Sequence, residues 1–270
     1  MPQFDFKDKV AIVTGSSQGI GKQIALELCK KGAIVIINGR TEKKLNATKE
    51  RLQKAGFDVF AIACDVGIFS DCEKMVKEVV NKFGRIDILI NNAGLAMEGK
   101  IAETNPEVFQ KVMQVNVLGY LYPIQAALPY ILQSKGSIIF NSSIAGFVGL
   151  PGFSGYSISK MALTALAQSL RIELKGTSVH VGINYIGFTE NEISKTYFDE
   201  KGQLQIMPKR EGVKLMPVEK VACKILQGIS RKRQTQTFSG MGKVMHFLQR
   251  FCPRLMEIIL SVTYKKRMKM

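Results

Sequence analysis

Short runs of aliphatic and β-branched residues recur along the chain: VAIVT at 10–14, AIVII at 33–37, DVFAI at 58–62, DILIN at 87–91, SIIFN at 137–141 and HVGIN at 180–184. Between them the apolar positions move to helical spacing, as in Ile24 and Leu28, Leu45 and Leu52, and Met75, Val76, Val79 and Val80. Strand followed by helix, repeated six times, predicts a parallel sheet, because parallel neighbours need crossovers and crossovers place helices on both faces. The expected fold is therefore α/β, a doubly wound parallel sheet in a single domain without internal repeats.

After residue 186 the pattern changes. The stretch GFTENEISKTYFDEKGQLQIMPKREGVKLMP is polar, weakly periodic and punctuated by Gly202, Pro208 and Pro217. An insertion of that length just beyond a strand's carboxyl end predicts a lid at about 187–217. A helix over Val218–Ser230, a strand near TQTFS and two short helical segments follow. The expected division is a main domain at 1–240 and a basic amphipathic tail at 241–270.

Composition narrows the class. The chain has 270 residues, 46% of them hydrophobic, which excludes a disordered or fibrous protein. The net charge is +16, and residues 209–270 hold 15 Lys and Arg against Glu211, Glu219 and Glu257, leaving the rest near balance. Such a surplus suits an anionic cofactor, a lipid surface, an acidic protein or nucleic acid. No nucleic-acid reading module is recognisable, so no nucleic-acid partner is expected.

Five cysteines without a CxxC pair read as reduced core thiols of a cytoplasmic protein. The opening MPQFDFKDKVAIV leads straight into a strand without the features of a signal peptide, and no uninterrupted apolar run reaches about 18 residues. The expected location is cytoplasmic, with peripheral attachment at the inner face of a membrane left open.

The first strand runs into TGSSQGIGK, which places Gly15, Gly19 and Gly21 where a helix begins. Glycines there permit a tight turn and let backbone N–H groups approach a pyrophosphate, although a plain turn would look the same. After the second strand comes Gly39-Arg40 in place of an acidic residue. A guanidinium suits a 2′-phosphate, which favours NADPH/NADP over NADH; the alternative is a solvated helix-start arginine. Tyr156 and Lys160 lie four apart and so share one helix face. An ammonium beside a phenol favours the phenolate and makes the phenol a better proton donor. Ser143 ends the fifth strand thirteen residues before Tyr156.

Taken together, these motifs resemble the short-chain dehydrogenase/reductase family over roughly residues 6–240. The match consists of TGSSQGIG at 14–21, Asp65 after the third strand, NNAG at 91–94, Asn116 in VNVLG, Ser143, and YSISK at 156–160. The resemblance implies a Rossmann-type sheet and an oxidoreductase acting on CH-OH or C=O groups. Tyr156 would be the general acid or base, Lys160 its tuner and a ribose contact, Ser143 the group orienting the carbonyl, and Asn116 the support of a proton relay. Gly15, Ser17, Gly19, Ile20, Gly21, Arg40, Asp65, Val66, Asn92, Ala93, Gly94 and Thr189 would line the cofactor with Tyr156 and Lys160. No metal is implied. The family usually has Pro-Gly after the sixth strand, where this chain has Ile186-Gly187, so a less rigid loop is expected. Family members commonly assemble through the helices corresponding to about 104–133 and 155–174, which implies a homo-oligomer.

Substrate choice belongs to the lid and tail. Ile193, Tyr197, Phe198, Leu204, Ile206, Met207, Leu215 and Met216 form an apolar set that suits a hydrophobic ketone, or ordinary packing equally well. In the tail, Val244, Phe247, Leu248 and Phe251 share a face, Leu255, Ile258, Ile259 and Val262 repeat it, and the end is KKRMK. This basic amphipathic pattern suits an anionic membrane surface, a partner subunit or the domain itself. LGYLYP at 118–123, GLPGFSGYSISK at 149–160, and Tyr185 with Thr189 are similar to 3-ketosphinganine reductases and related reductases of lipid ketones. A long-chain keto-lipid is the first expectation; a 3-oxoacyl-[acyl-carrier-protein] reductase, a steroid or small-ketone reductase and, remotely, a non-enzymatic nucleotide-binding protein remain as alternatives.

Overall fold

The computed structural model describes residues 5–190, 195–208, 212 and 215–268. Six strands fall close to the predicted runs: β1 Val10–Val13, β2 Ile34–Gly39, β3 Val59–Ala63, β4 Ile88–Asn91, β5 Ser137–Ser143 and β6 His180–Ile186. With β9 Thr235–Thr237 they make a seven-stranded parallel sheet in the order β3-β2-β1-β4-β5-β6-β9.

The side-chain period of two sorts each strand between two cores. Val10, Ile12, Ile36, Leu89, Ile138 and Phe140 face a cluster completed by α3 Phe69–Phe83, α5 Gly119–Ser134 and α6 Ser154–Glu173. Ala11, Val13, Val35, Ile37, Ile88 and Ile139 face the other, built on α1 Gly19–Lys30, α2 Glu42–Lys54 and α7 Val218–Ser230. Strands buried on both faces are continuous apolar runs, which is why they stand out in the sequence.

The strand order reverses between β1 and β4, and chains leaving these neighbours turn to opposite faces. A crevice opens there at the carboxyl ends of the strands, the usual ligand position in such sheets. Helix α4 Pro106–Met113 reaches α5 through a π-helical turn at Gln114–Leu118. The run 106–134 is long and apolar enough to cross a membrane by length and composition, yet its inner face supplies the core residues Tyr120, Ile124, Ala127 and Ile131.

Two expectations change. Within the lid, Thr196–Phe198 (β7) and Leu204–Ile206 (β8) pair as an antiparallel hairpin, a feature too short for periodicity to disclose. Cys29, Cys64 and Cys72 are buried, but Cys223 and Cys252 are exposed, so the thiols are not all core residues. Cys223 is on the outer side of α7, and Cys252 lies where α8 Gly240–Phe251 meets α9 Pro253–Met268.

Candidate active site

Thr14, at the end of β1, starts the crevice. Its Oγ1 accepts from the backbone N–H groups of Asn92 (2.9 Å) and Ala93 (3.1 Å), and the Asn92 amide donates to the Thr14 and Gly15 carbonyls. This draws β4's exit loop onto the glycine turn. Gly15 has φ +60°, and a Cβ there would meet Ala93 Cα at 2.7 Å, so both backbone conformation and close approach require glycine. Gly19 and Gly21 open α1, and Gln18 provides no side-chain cap. The N-terminus of α1 thus points at a cradle that a Cβ at Gly21 would fill, an arrangement suited to a pyrophosphate. Ile20 packs under this turn against the α1 core, and Ser17 Oγ lies against Gly39.

Arg40 and Asp65 face each other at 3.8 Å on the rim of a cleft of about 500 Å³ between the end of β3 and α4, lined also by Lys111, Gln114 and Val115. Asp65 Oδ1 accepts from Gly67 N at 2.9 Å, Gln114 donates to the Gly67 carbonyl, and Val66 is buried beneath. Arg40, Asp65 and, beneath them, Val66, which the family resemblance assigns to the cofactor, thus come together at one cleft.

The other end holds the remaining candidates. Ser142 is buried and its Oγ donates to the Lys160 carbonyl, whereas Ser143 is half-buried and accepts from Ala145 N. Strand alternation thus assigns Ser142 to packing against α6 and leaves Ser143 on the crevice side. Tyr156 stands in the first turns of α6, half-buried against Met97 and Phe198. Lys160, one turn on, is buried, its Nζ 5.8 Å from the Tyr156 ring centre and within hydrogen-bond reach of Tyr120 Oη (3.4 Å) and the Asn141 carbonyl (3.3 Å). Burial, with Lys195 adding positive charge, lowers its pKa to about 7.

A Cβ at Gly94 would stand 3.3 Å from Asn116 Oδ1 and 3.6 Å from Lys160 Nζ, so these three residues converge. Asn116 sits in the π-helical turn; its Oδ1 accepts from Leu95 N (2.7 Å), and its Nδ2 donates to Leu95 O (2.9 Å) and Ser159 Oγ (3.0 Å). Its side chain pins the segment after Gly94 and has no free donor. Thr189 is buried beside Met216, at the base of the lid. Ile186, where the family usually has proline, is buried at the end of β6 and in register with Ser143.

Of the lid residues, Phe198 is buried with Met97, Val108 and Val112, while Leu204 and Ile206 project outward. Tyr197, Met207, Leu215 and Met216 are half-buried, and Ile193 lies outside the described residues. Pattern reading passes over Tyr120, Asn141, Asn184 and Gln114: the first sits inside an apolar helix, the asparagines inside strands, and no motif marks Gln114.

The family model for short chain dehydrogenases matches residues 9–202. The 11-beta-hydroxysteroid dehydrogenase A of Sesamum indicum is 31% identical over 267 residues, covering 96% of this chain and 76% of the relative. An uncharacterized oxidoreductase of Staphylococcus epidermidis is 38% identical over 74% of the chain and 86% of its own length. Among solved structures, a short chain dehydrogenase/reductase from Burkholderia phymatum in complex with NAD superposes with TM-score 0.81 at 22% identity, covering 93% of this chain and 96% of that one. A metagenomic short-chain oxidoreductase in complex with NADP superposes with TM-score 0.71 at 25% identity, covering 86% and 98%.

Proposed function

The chain belongs to the short-chain dehydrogenase family, and from that premise we propose that it is an NADPH-dependent reductase that converts a ketone on a hydrophobic substrate to a secondary alcohol. The observation that carries the reading is the buried Lys160 ammonium, 5.8 Å from the ring of Tyr156 and with no carboxylate to neutralise it among its described contacts. An unneutralised cation there favours the phenolate and makes Tyr156 acidic enough to act near neutral pH.

NADPH, when bound, supplies the hydride. Gly15, Ser17, Gly19, Ile20 and Gly21 would hold its pyrophosphate, Arg40 the 2′-phosphate, Asp65 and Val66 the adenine, and Asn92, Ala93, Gly94 and Thr189 the nicotinamide half. Ser143 donates a hydrogen bond to the carbonyl oxygen. Tyr156 gives its phenolic proton to that oxygen as negative charge develops, and Lys160 stabilises the phenolate left behind. Asn116 keeps Leu95 and Ser159 in place around them, supporting reprotonation through Lys160.

For the substrate, the relatives named for hydroxysteroid dehydrogenation support a bulky fused-ring alcohol or ketone, because their similarity covers 96% and 92% of this chain. A long-chain keto-lipid such as 3-ketosphinganine is the second reading; it draws on the outward Leu204 and Ile206, which offer apolar surface along the lid. The exposed Ile158, Met161 and Ile172 on α6 support assembly with a second copy through that helix. The free thiols fit a reducing, cytoplasmic compartment.

The test is oxidation of NADPH, and of NADH in parallel, with a steroid ketone, 3-ketosphinganine in detergent micelles and an acetoacetyl thioester. Preference for the steroid supports the first reading, preference for the sphingoid ketone the second, and preference for the thioester turns the basic surface into a carrier-protein dock. Tyr156→Phe should bind NADPH and lose nearly all turnover; full turnover would refute the assignment of the proton donor.

A further inference from the structure

Half of the large apolar side chains left exposed among the described residues lie on α8 and α9: Met241, Val244, Phe247, Phe251, Leu255, Ile258, Ile259 and Val262. At 3.6 residues per turn, the four on α8 fall on one side, as do the four on α9. Phe247 and Phe251 touch, with ring centres 4.8 Å apart.

The opposite sides of the helices are already occupied. His246 stacks on Phe147 at 4.5 Å, Gly242 and Met256 are buried, and the Tyr264 ring reaches Gly152. Phe147 and Gly152 belong to the loop between Ser143 and Tyr156, so the two helices are seated at the rim of the catalytic crevice with their apolar sides turned away from the body.

Charge indicates what covers those sides. Lys243 and Arg250 border the apolar stripe of α8, Arg254 and Lys265 border that of α9, and all four are exposed. Glu257 is the only acid in either helix, and the sequence continues through Lys266, Arg267 and Lys269. Apolar residues flanked by cations match the two layers of a membrane interface, acyl boundary and anionic head groups. A second copy would set one basic tail against another, and an acidic carrier protein would use the cations without needing eight exposed apolar side chains.

We propose that the outer face of α8 and α9 docks on an anionic lipid bilayer, with the apolar stripes in the acyl boundary and the flanking cations on the head groups. The docking goes beyond the reductase reading and stands without it.

The experiment is flotation of the full chain with vesicles of phosphatidylcholine alone and of equimolar phosphatidylcholine and phosphatidylglycerol, at low and high salt. The protein should float with the mixed vesicles, and more weakly at high salt. Phe247→Ser with Phe251→Ser, and separately Lys243→Glu with Arg250→Glu, should each weaken binding by at least about tenfold. NADPH binding by each variant shows that the fold is intact, and a destabilised pair is replaced by Ile258→Ser alone. Failure of the unaltered chain to float overturns the proposal, as does equal binding to neutral vesicles. Floating unaffected by the substitutions overturns it too, and a halved solution mass in the serine variants without vesicle binding would make the face a subunit interface.

Discussion

The ammonium of Lys160 lies 3.4 Å from the hydroxyl of Tyr120, and both side chains are buried. Tyr120 donates its own proton to the Asn141 carbonyl at 2.8 Å, so its oxygen is left to accept from Lys160. Lys195 also acts on Lys160, and as a second cation it offers nothing to replace that acceptor. Tyr120→Phe keeps the ring against Phe140 and removes a hydrogen bond that favours the charged lysine. The Lys160 pKa, already lowered to about 7 by burial, should fall further. The alkaline limb of kcat against pH should move to lower pH by roughly 0.5–1 unit, the equivalent of one hydrogen bond. A normal profile in the phenylalanine variant would show that Tyr120 only packs.

Below this pair, amide side chains run across the sheet in one direction. Gln236 donates to Asn184 (3.0 Å), Asn184 to Asn141 (3.0 Å), Asn141 to Asn92 (3.2 Å), and Asn92 to the Thr14 and Gly15 carbonyls. The chain ties β9, β6, β5 and β4 to the glycine turn. Asn184→Leu leaves the Asn141 oxygen buried without its donor, which costs about 1–3 kcal/mol. Thermal unfolding should shift down by several degrees, and weakened NADPH binding should accompany it. A variant as stable as the parent would mean that the chain is dispensable.

Why some of this is legible in sequence and some is not follows from what each residue packs against. Strands β1, β2, β4, β5 and β6 are buried on both faces and β3 in part, so Val13, Ile37 and Ile90 announce themselves as apolar runs. Tyr156 and Lys160 are visible because their spacing is helical. Asn141 and Asn184 break no pattern and acquire meaning only when β5 and β6 pair at Asn141↔Asn184. Ser142 and Ser143 are equivalent in composition; the thirteen-residue spacing to Tyr156 singles out Ser143 in the sequence, and the β5 alternation adds that Ser142 is buried against α6. The lid hairpin escapes because β7 and β8 each have three residues and only Phe198 among the six side chains is buried.

His180 gives a pH dependence of stability. Its Nε2 bonds to the Arg233 carbonyl at 3.0 Å, and burial lowers its pKa below 6.5. Below pH 6.5 the unfolded chain therefore binds a proton that the folded one resists, and stability falls as pH drops. His246, also lowered by burial with Arg250 adding, acts in the same direction. Urea unfolding at pH 7.5 and 5.5 should show lower stability at the acid end, and His180→Gln should reduce the difference. An unchanged slope would place the acid sensitivity elsewhere.

Arg40 and Asp65 face each other at 3.8 Å with both side chains partly open to solvent, so the pair is weak and easily parted. A dianionic 2′-phosphate offers the guanidinium a stronger partner than one carboxylate does. Arg40→Asp removes the cation and sets two carboxylates at the same rim, which disfavours a phosphate twice over. NADPH should lose roughly ten- to a hundredfold in kcat/KM, the range expected for a charge-assisted hydrogen bond, while NADH changes little. Measuring both cofactors on both proteins gives the ratio directly. If the NADPH to NADH ratio is the same in the variant as in the parent, Arg40 does not read the 2′-phosphate, and Lys111 across the cleft becomes the group to replace next.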